Sequence, residues 1–112
     1  MKDICVFFGT GYEEIEALTV VDLCRRAGIE IDTVSVTGKK EVESSHKIIV
    51  TADKLWGEID FAEVSMMILP GGMPGTLNLE AHEPLMAQLD AFHAEGRYIS
   101  AICAAPSIFA HR

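Results

Sequence analysis

Short apolar runs alternate along the chain with longer segments of mixed polarity. The runs at 4–8 and 65–69 are continuous rather than alternating, which indicates strands that are buried on both faces. Further strands are predicted at 29–36 and 98–102, helices at about 13–27 and 84–94, a short hairpin-like piece at 47–51, and irregular or short helical structure around Trp56 at 52–61. This alternation of strands and helices predicts an α/β domain with a mainly parallel sheet and helices on both faces.

Several residues suited to chemistry follow directly after predicted strands. A glycine turn at 9–11 follows the first strand, Gly71 and Gly72 follow the third, and Cys103 follows the last. Ligands of parallel α/β sheets bind beyond the carboxyl ends of the strands. We therefore expect these positions to meet at one edge of the sheet and to form a site.

Cys103 is the candidate nucleophile. It stands between a predicted strand and a helix that should follow it, with small residues on either side. Such a turn lifts its residue above the sheet, as in a nucleophile elbow, and the first N–H groups of the helix favour a thiolate. The alternative is a buried, inert cysteine. Cys5 and Cys24 fall where small apolar residues pack, so we interpret them as core or interface residues.

Glu16 is the candidate partner of Cys103. It lies one turn into the first predicted helix and can face the same edge of the sheet. Because two neighbouring negative charges repel each other, we expect a protonated Glu16 that donates a hydrogen bond to the thiolate. The alternative is a solvated carboxylate at a helix start, which is our interpretation of Glu13 and Glu14.

The glycines at the strand ends suggest backbone donors. The N–H groups of Gly71 and Gly72, together with that of Ala104, could bind a developing oxyanion, although a tight turn alone would also require glycine. Gly11 is a possible neighbour of this site. Dinucleotide binding is rejected because Glu14 stands where the third glycine of GxGxxG belongs, and its charge would repel a pyrophosphate.

Composition narrows the class of protein. The chain of 112 residues fits one domain, and nine basic against seventeen acidic residues give a net charge of −8, which argues against nucleic acid and anionic membranes as partners. No apolar segment approaches membrane-helix length, and Met1 and Lys2 leave no room for a signal peptide before the first strand. Three cysteines without paired spacing predict no metal site. We expect a cytoplasmic protein without a cofactor.

Four motifs in this order resemble the ThiJ/PfpI superfamily, in the branch of the Parkinson-associated protein deglycase (DJ-one). They are Gly11-x-Glu13-Glu14-x-Glu16, Arg25-Arg26-Ala27-Gly28-Ile29, Leu69-Pro70-Gly71-Gly72 and Ala101-Ile102-Cys103-Ala104-Ala105-Pro106. The resemblance implies a flavodoxin-like three-layer sandwich and a homodimer. It also implies that Cys103 is nucleophilic and oxidisable, that Glu16 is its protonated partner, and that Gly71 and Gly72 are backbone donors.

The resemblance also bears on length and on His46. Members of the superfamily are longer, so we expect residues 1–112 to be the N-terminal portion of a single domain, truncated after the elbow. In the superfamily the additional residues supply further strands, the last helices and a histidine near the cysteine, and a second polypeptide could carry that part here. His46 stands where close relatives often carry an arginine near the neighbouring subunit's cysteine, which makes it a possible site neighbour.

The leading functional hypothesis is a cysteine-dependent enzyme that acts on small reactive carbonyls, of the glyoxalase or protein deglycase type. One alternative is a non-catalytic redox sensor or chaperone, since an accessible thiolate oxidises readily. A cysteine peptidase-like hydrolase of the same superfamily, or a structural or thiamine-related protein with inert thiols, are further alternatives.

Overall fold

A five-stranded parallel sheet forms the centre of the fold in a computed structural model that describes residues 3–112. The strands along the chain are β1 (Asp3–Phe8), β2 (Ile31–Ser35), β3 (Glu41–Glu43), β4 (Ile49–Thr51), β5 (Lys54–Leu55), β6 (Val64–Leu69) and β7 (Tyr98–Ala101). The sheet has the order β5-β2-β1-β6-β7, while β3 and β4 form a separate antiparallel hairpin. The predicted parallel sheet is confirmed.

The helices lie close to their predicted positions, with one addition. They are α1 (Glu14–Arg26), α2 (Gly75–Glu80), α3 (Glu83–Ala94) and α4 (Pro106–Ala110), and two 3₁₀ turns at Trp56–Glu58 and Phe61–Glu63 occupy the segment that was expected to be irregular. The short helix α2, the strand β3 and the two-residue strand β5 were not predicted, and the hairpin expected at 47–51 begins earlier, at Glu41. None of the helices between residues 3 and 112 is long and apolar enough to cross a membrane.

The core lies in two layers, one on each face of the sheet. Side chains of β1 alternate between them: Cys5 and Phe7 pack into the cluster that contains the buried face of α3, and Val6 and Phe8 pack into the cluster that contains the buried face of α1. All four are at most 1% exposed. A strand buried on both faces explains the continuous apolar run, and the arrangement is the flavodoxin-like three-layer sandwich.

The strand order places a crevice between β1 and β6. The chain moves from β1 to β2 on one side of β1 and returns to β6 on the other side. Ligand sites of open parallel sheets lie beyond the strand ends at such a reversal. The β3–β4 hairpin lies beside the loop after β1: the Gly11 N–H donates to the Glu43 carbonyl at 2.9 Å, and the Ser45 N–H donates to the Tyr12 carbonyl at 2.8 Å.

Candidate active site

Cys103 lies at the turn from β7 to α4, with its side chain exposed. The Ile102 N–H donates to the Leu69 carbonyl at 3.2 Å, which continues the β6–β7 pairing up to the cysteine, and the Ala105 N–H donates to the Ile102 carbonyl at 3.0 Å, which closes the turn. The φ angle of Cys103 is 59°, in the left-handed region that residues other than glycine rarely occupy. The structure thus places Cys103 at a strained strand-to-helix elbow.

The helix after the elbow is short. Its five residues make a weak macrodipole, so its effect on the sulfur has to come from free backbone N–H groups near the helix start. Within residues 3–112, the Ala104 N–H donates to no backbone or side-chain acceptor. This donor next to the sulfur remains available for a ligand.

Glu16 and Cys103 converge at Gly71. The Gly71 N–H donates to Glu16 Oε1 at 3.0 Å. A Cβ atom added to Gly71 would lie 2.6 Å from Glu16 Oε1 and 2.8 Å from Cys103 Cβ, so the two side chains meet in the space that glycine leaves open. Among the hydrogen bonds of the described chain, none joins Glu16 to the sulfur. The juxtaposition that the sequence predicted is present, and its chemical role stays a prediction.

The loops after β1 and β6 touch through main-chain atoms. The Glu13 N–H donates to the Gly71 carbonyl at 2.9 Å. Gly72 has a φ of 98°, and a Cβ added there would lie 2.4 Å from the Glu13 nitrogen. The Gly71 N–H is already bonded to Glu16, so of the three predicted backbone donors only the N–H groups of Gly72 and Ala104 are without a hydrogen bond in residues 3–112.

Glu14 corrects one expectation from the sequence. We expected a solvated carboxylate, but Glu14 is 4% exposed. It accepts hydrogen bonds from Ser44 Oγ at 3.2 Å and from His46 Nδ1 at 2.9 Å. The bond with His46 lowers the pKa of Glu14 to about 2. The hairpin covers this carboxylate. The polar residues after β3, which include a histidine, were the sequence feature that could have predicted this contact.

His46 lies at the same end of the sheet as the cysteine, but it is hydrogen-bonded to Glu14. Its Nδ1 is also 3.7 Å from Oε1 of Glu13, the residue whose N–H contacts Gly71. Gly11, the other predicted neighbour, contacts the same region through its carbonyl, which accepts from the Gly75 N–H at 3.2 Å. Within one chain, His46 and Gly11 therefore support the loop that carries the site.

Comparison with known proteins identifies the family. Residues 2–112 match the DJ-1/PfpI family. The chain belongs to the DJ-1/PfpI family. It is similar to Protein DJ-1 homolog B of Arabidopsis thaliana (32% identical over 96% of this chain and 24% of the relative) and to the Parkinson disease protein 7 homolog of Danio rerio (31% identical over 98% and 59%).

A solved structure agrees with this assignment. The oxidized DJ-1 of Toxoplasma gondii is 35% identical and superposes with a TM-score of 0.90, over 96% of this chain and 59% of that one. The chain thus spans less than two thirds of the DJ-1 relatives it matches. Membership of the DJ-1/PfpI family is established for residues 2–112, and the fold is that of its solved members.

The other two thiols of this DJ-1/PfpI chain differ from the elbow cysteine. Cys5 is 1% exposed in β1, and burial raises its pKa to about 12, with the nearby charge of Asp32 acting in the same direction. Cys24 is half-buried in α1 and free. Both lie in the packed structure, as predicted, and Cys103 is the exposed one of the three.

Proposed function

We propose that this protein uses Cys103 as a nucleophile toward small reactive carbonyl compounds, in the manner of a glyoxalase or protein deglycase. The observation that carries the proposal is the meeting of an exposed elbow cysteine with the Glu16 carboxyl across Gly71. An activated nucleophile requires an adjacent group that manages protons, and Glu16 is in position for that role.

The chemistry begins with a carbon–sulfur bond. The Cys103 thiolate attacks the aldehyde carbon of a substrate such as methylglyoxal, and the carbonyl oxygen takes up the electron pair. The N–H groups of Gly72 and Ala104 stabilise this oxygen, and Glu16 supplies the proton that completes a hemithioacetal. The Glu16 carboxylate then removes the proton from that carbon, and the electron pair left behind forms an enediol with the neighbouring ketone, whose oxygen receives the proton of the hemithioacetal hydroxyl. Return of the carbon-bound proton from Glu16 to the neighbouring carbon gives a lactoyl thioester, and water hydrolyses it to release lactate and the thiol.

Lactate formation tests the proposal. The original protein should convert methylglyoxal, and Cys103→Ser should convert it only at the background rate. Cys24→Ser is the control: it changes a half-buried thiol of α1 and should keep the original rate. Circular dichroism of the three proteins checks that each is folded. Equal rates for the original protein and Cys103→Ser would rule out Cys103 as the nucleophile.

A second candidate function is redox sensing by the same sulfur. Exposure favours oxidation of a thiolate to the sulfenic and sulfinic acids, and a similar protein, the DJ-1 of Toxoplasma gondii, has been solved in an oxidized form. Peptide mass spectrometry after mild peroxide treatment separates the two functions. Oxygen addition confined to Cys103, without carbonyl turnover, favours the sensor.

The proposed assembly is a homodimer. The outer face of α1 exposes Ile15 and Leu23, which lie two helical turns apart and are 69% and 60% accessible. Exposed apolar side chains on a surface helix are suited to an interface. Native mass spectrometry measures subunit number and also shows whether a second polypeptide is bound, and Leu23→Glu should shift a dimer toward monomer.

A further inference from the structure

Glu14 is a buried carboxylate that the chemistry proposed for Cys103 does not use. Both of its oxygens face His46 Nδ1, at 2.9 and 3.0 Å, and one of them also accepts from Ser44 Oγ. Burying an ionised carboxylate is unfavourable unless a cation and hydrogen bonds compensate for the lost water. The His46 side chain is 67% exposed, so the cation in this pair can exchange its proton with solvent.

The pair joins two separate parts of the fold. Glu14 is the first residue of α1, whereas His46 lies in the connection between β3 and β4. Next to the pair, two backbone hydrogen bonds attach the hairpin to the loop after β1, one from the Gly11 N–H and one from the Ser45 N–H. That loop continues into Glu13, whose N–H is bonded to the Gly71 carbonyl.

We propose that the Glu14–His46 ion pair is a pH-sensitive latch, which holds the β3–β4 hairpin against the loop at 9–13 and loosens when His46 loses its proton. With an imidazolium, the hydrogen bond is charged on both sides. With a neutral imidazole it is charged on one side and correspondingly weaker.

The groups around the latch favour the charged form of His46. The hydrogen bond to Glu14 raises the pKa of His46, and the negative charges of Glu14 and Glu13 act in the same direction. Glu13 contributes from 3.7 Å.

Two further titratable groups lie near His46. Lys47 follows His46 in the hairpin, and its Nζ lies 3.9 Å from Glu43, which offsets its charge. Tyr12 lies in the loop after β1; burial, with a contribution from Glu14, raises its pKa to about 12. It therefore stays neutral while His46 titrates.

The direction of the pH effect follows from linkage. Because the folded-state pKa of His46 is raised, its contribution to stability is complete below the ordinary value of 6.5 and is lost as the pH rises through the folded-state value. Glu14 has a lowered pKa, so its contribution is present above the ordinary 4.5 and is lost as the pH falls through about 2. The latch is strongest between these two ordinary values.

Amide hydrogen exchange of Gly11 and Ser45 tests the latch. After correction for the intrinsic pH dependence of exchange, protection of these amides should fall roughly two- to fivefold between about pH 6 and pH 9, the effect of one partly exposed ion pair. Amides of β6 should keep their protection. In His46→Gln, protection should be low at both pH values and independent of pH.

His93→Gln provides the matched control, because it removes an exposed histidine of α3, away from the hairpin. It should keep the pH dependence of the original protein. Unchanged corrected protection between the two pH values, or a pH dependence that persists in His46→Gln, would overturn the latch. The same comparison in a Cys103→Ser background is independent of carbonyl chemistry, so failure of the proposed function leaves this test intact.

Discussion

Cys5 and Cys103 belong to the same sheet, and the fold gives their thiols opposite surroundings. Cys5 lies in the middle of β1, paired with strands on both sides and 1% exposed. Cys103 lies beyond the end of β7, exposed and with a left-handed backbone angle. In this architecture, position relative to the strand end therefore determines whether a cysteine is packed in the core or exposed at the edge of the sheet.

The backbone around the two thiols differs as much as their exposure. Around Cys5 the main chain pairs in parallel with β2 on one side and with β6 on the other. Around Cys103 the ladder has ended, and Gly71 leaves room for Glu16 beside the sulfur. The unbonded N–H groups of Gly72 and Ala104 and the approaching Glu16 carboxyl therefore lie beyond the ends of the strands.

The largest expected effect is in thiol labelling. With a pKa of about 12, Cys5 would be thiolate in roughly one molecule in 10⁵ at pH 7, and its burial also blocks reagent. Iodoacetamide should therefore alkylate Cys103 more than about 100-fold faster than Cys5 in the native protein, as measured by peptide mass spectrometry. In urea, where both thiols are exposed, the two alkylation rates should be similar. Similar rates in the folded protein as well would contradict the difference between the two thiols on which the site depends.

An intermediate effect is expected from Gly71→Ala. The added methyl group would lie within 3 Å of both Glu16 Oε1 and Cys103 Cβ, so both side chains or the backbone of Gly71 must shift. We expect a loss of about 2 kcal/mol in the free energy of unfolding, measured with urea, from overpacking. Gly57→Ala is the control: no atom lies within 4 Å of its added Cβ, and the change should stay within about 0.5 kcal/mol. Equal effects would contradict the close approach.

The smallest effect is the most informative about Glu16. Glutamine resembles a protonated glutamate, since its oxygen can accept from the Gly71 N–H while its NH₂ group donates. If Glu16 is the protonated donor, Glu16→Gln should slow alkylation of Cys103 only about two- to fivefold, as expected for one modified hydrogen bond. Faster alkylation in the variant would mean that Glu16 is ionised beside the sulfur. Glu30→Gln, an exposed change before β2, should have no effect.

Local sequence features predicted much of this site. Continuous apolar runs predicted β1 and β6, and the glycines after them predicted the loops that contact each other. Small residues around Cys103 located the elbow. These predictions succeed because the carboxyl ends of parallel strands lie at one edge, so sequence position after a strand is enough to place a residue in space.

Other features depend on contacts between distant residues. Glu14 looks like a solvated residue of a helix start, and only Ser44 and His46, thirty or more positions away, make it a buried one. The helix α2 follows Pro74 closely and has six residues, too few for a helical period to be read. The β3 strand lies in a polar segment, where a single buried residue, Val42, marks its inner face.

The contact between the Gly11 and Gly75 segments has a consequence for diversification. These loops meet through main-chain atoms, so the spacing of the reacting groups is insulated from most side-chain replacements in them. Met73 on the Gly75 loop and Ile102 beside Cys103 are 58% and 46% exposed, so their side chains can vary in size and polarity. Backbone contacts that do not depend on side chains, surrounded by exposed side chains that can change, allow one scaffold to accept different substrates while the geometry of the reacting groups is kept.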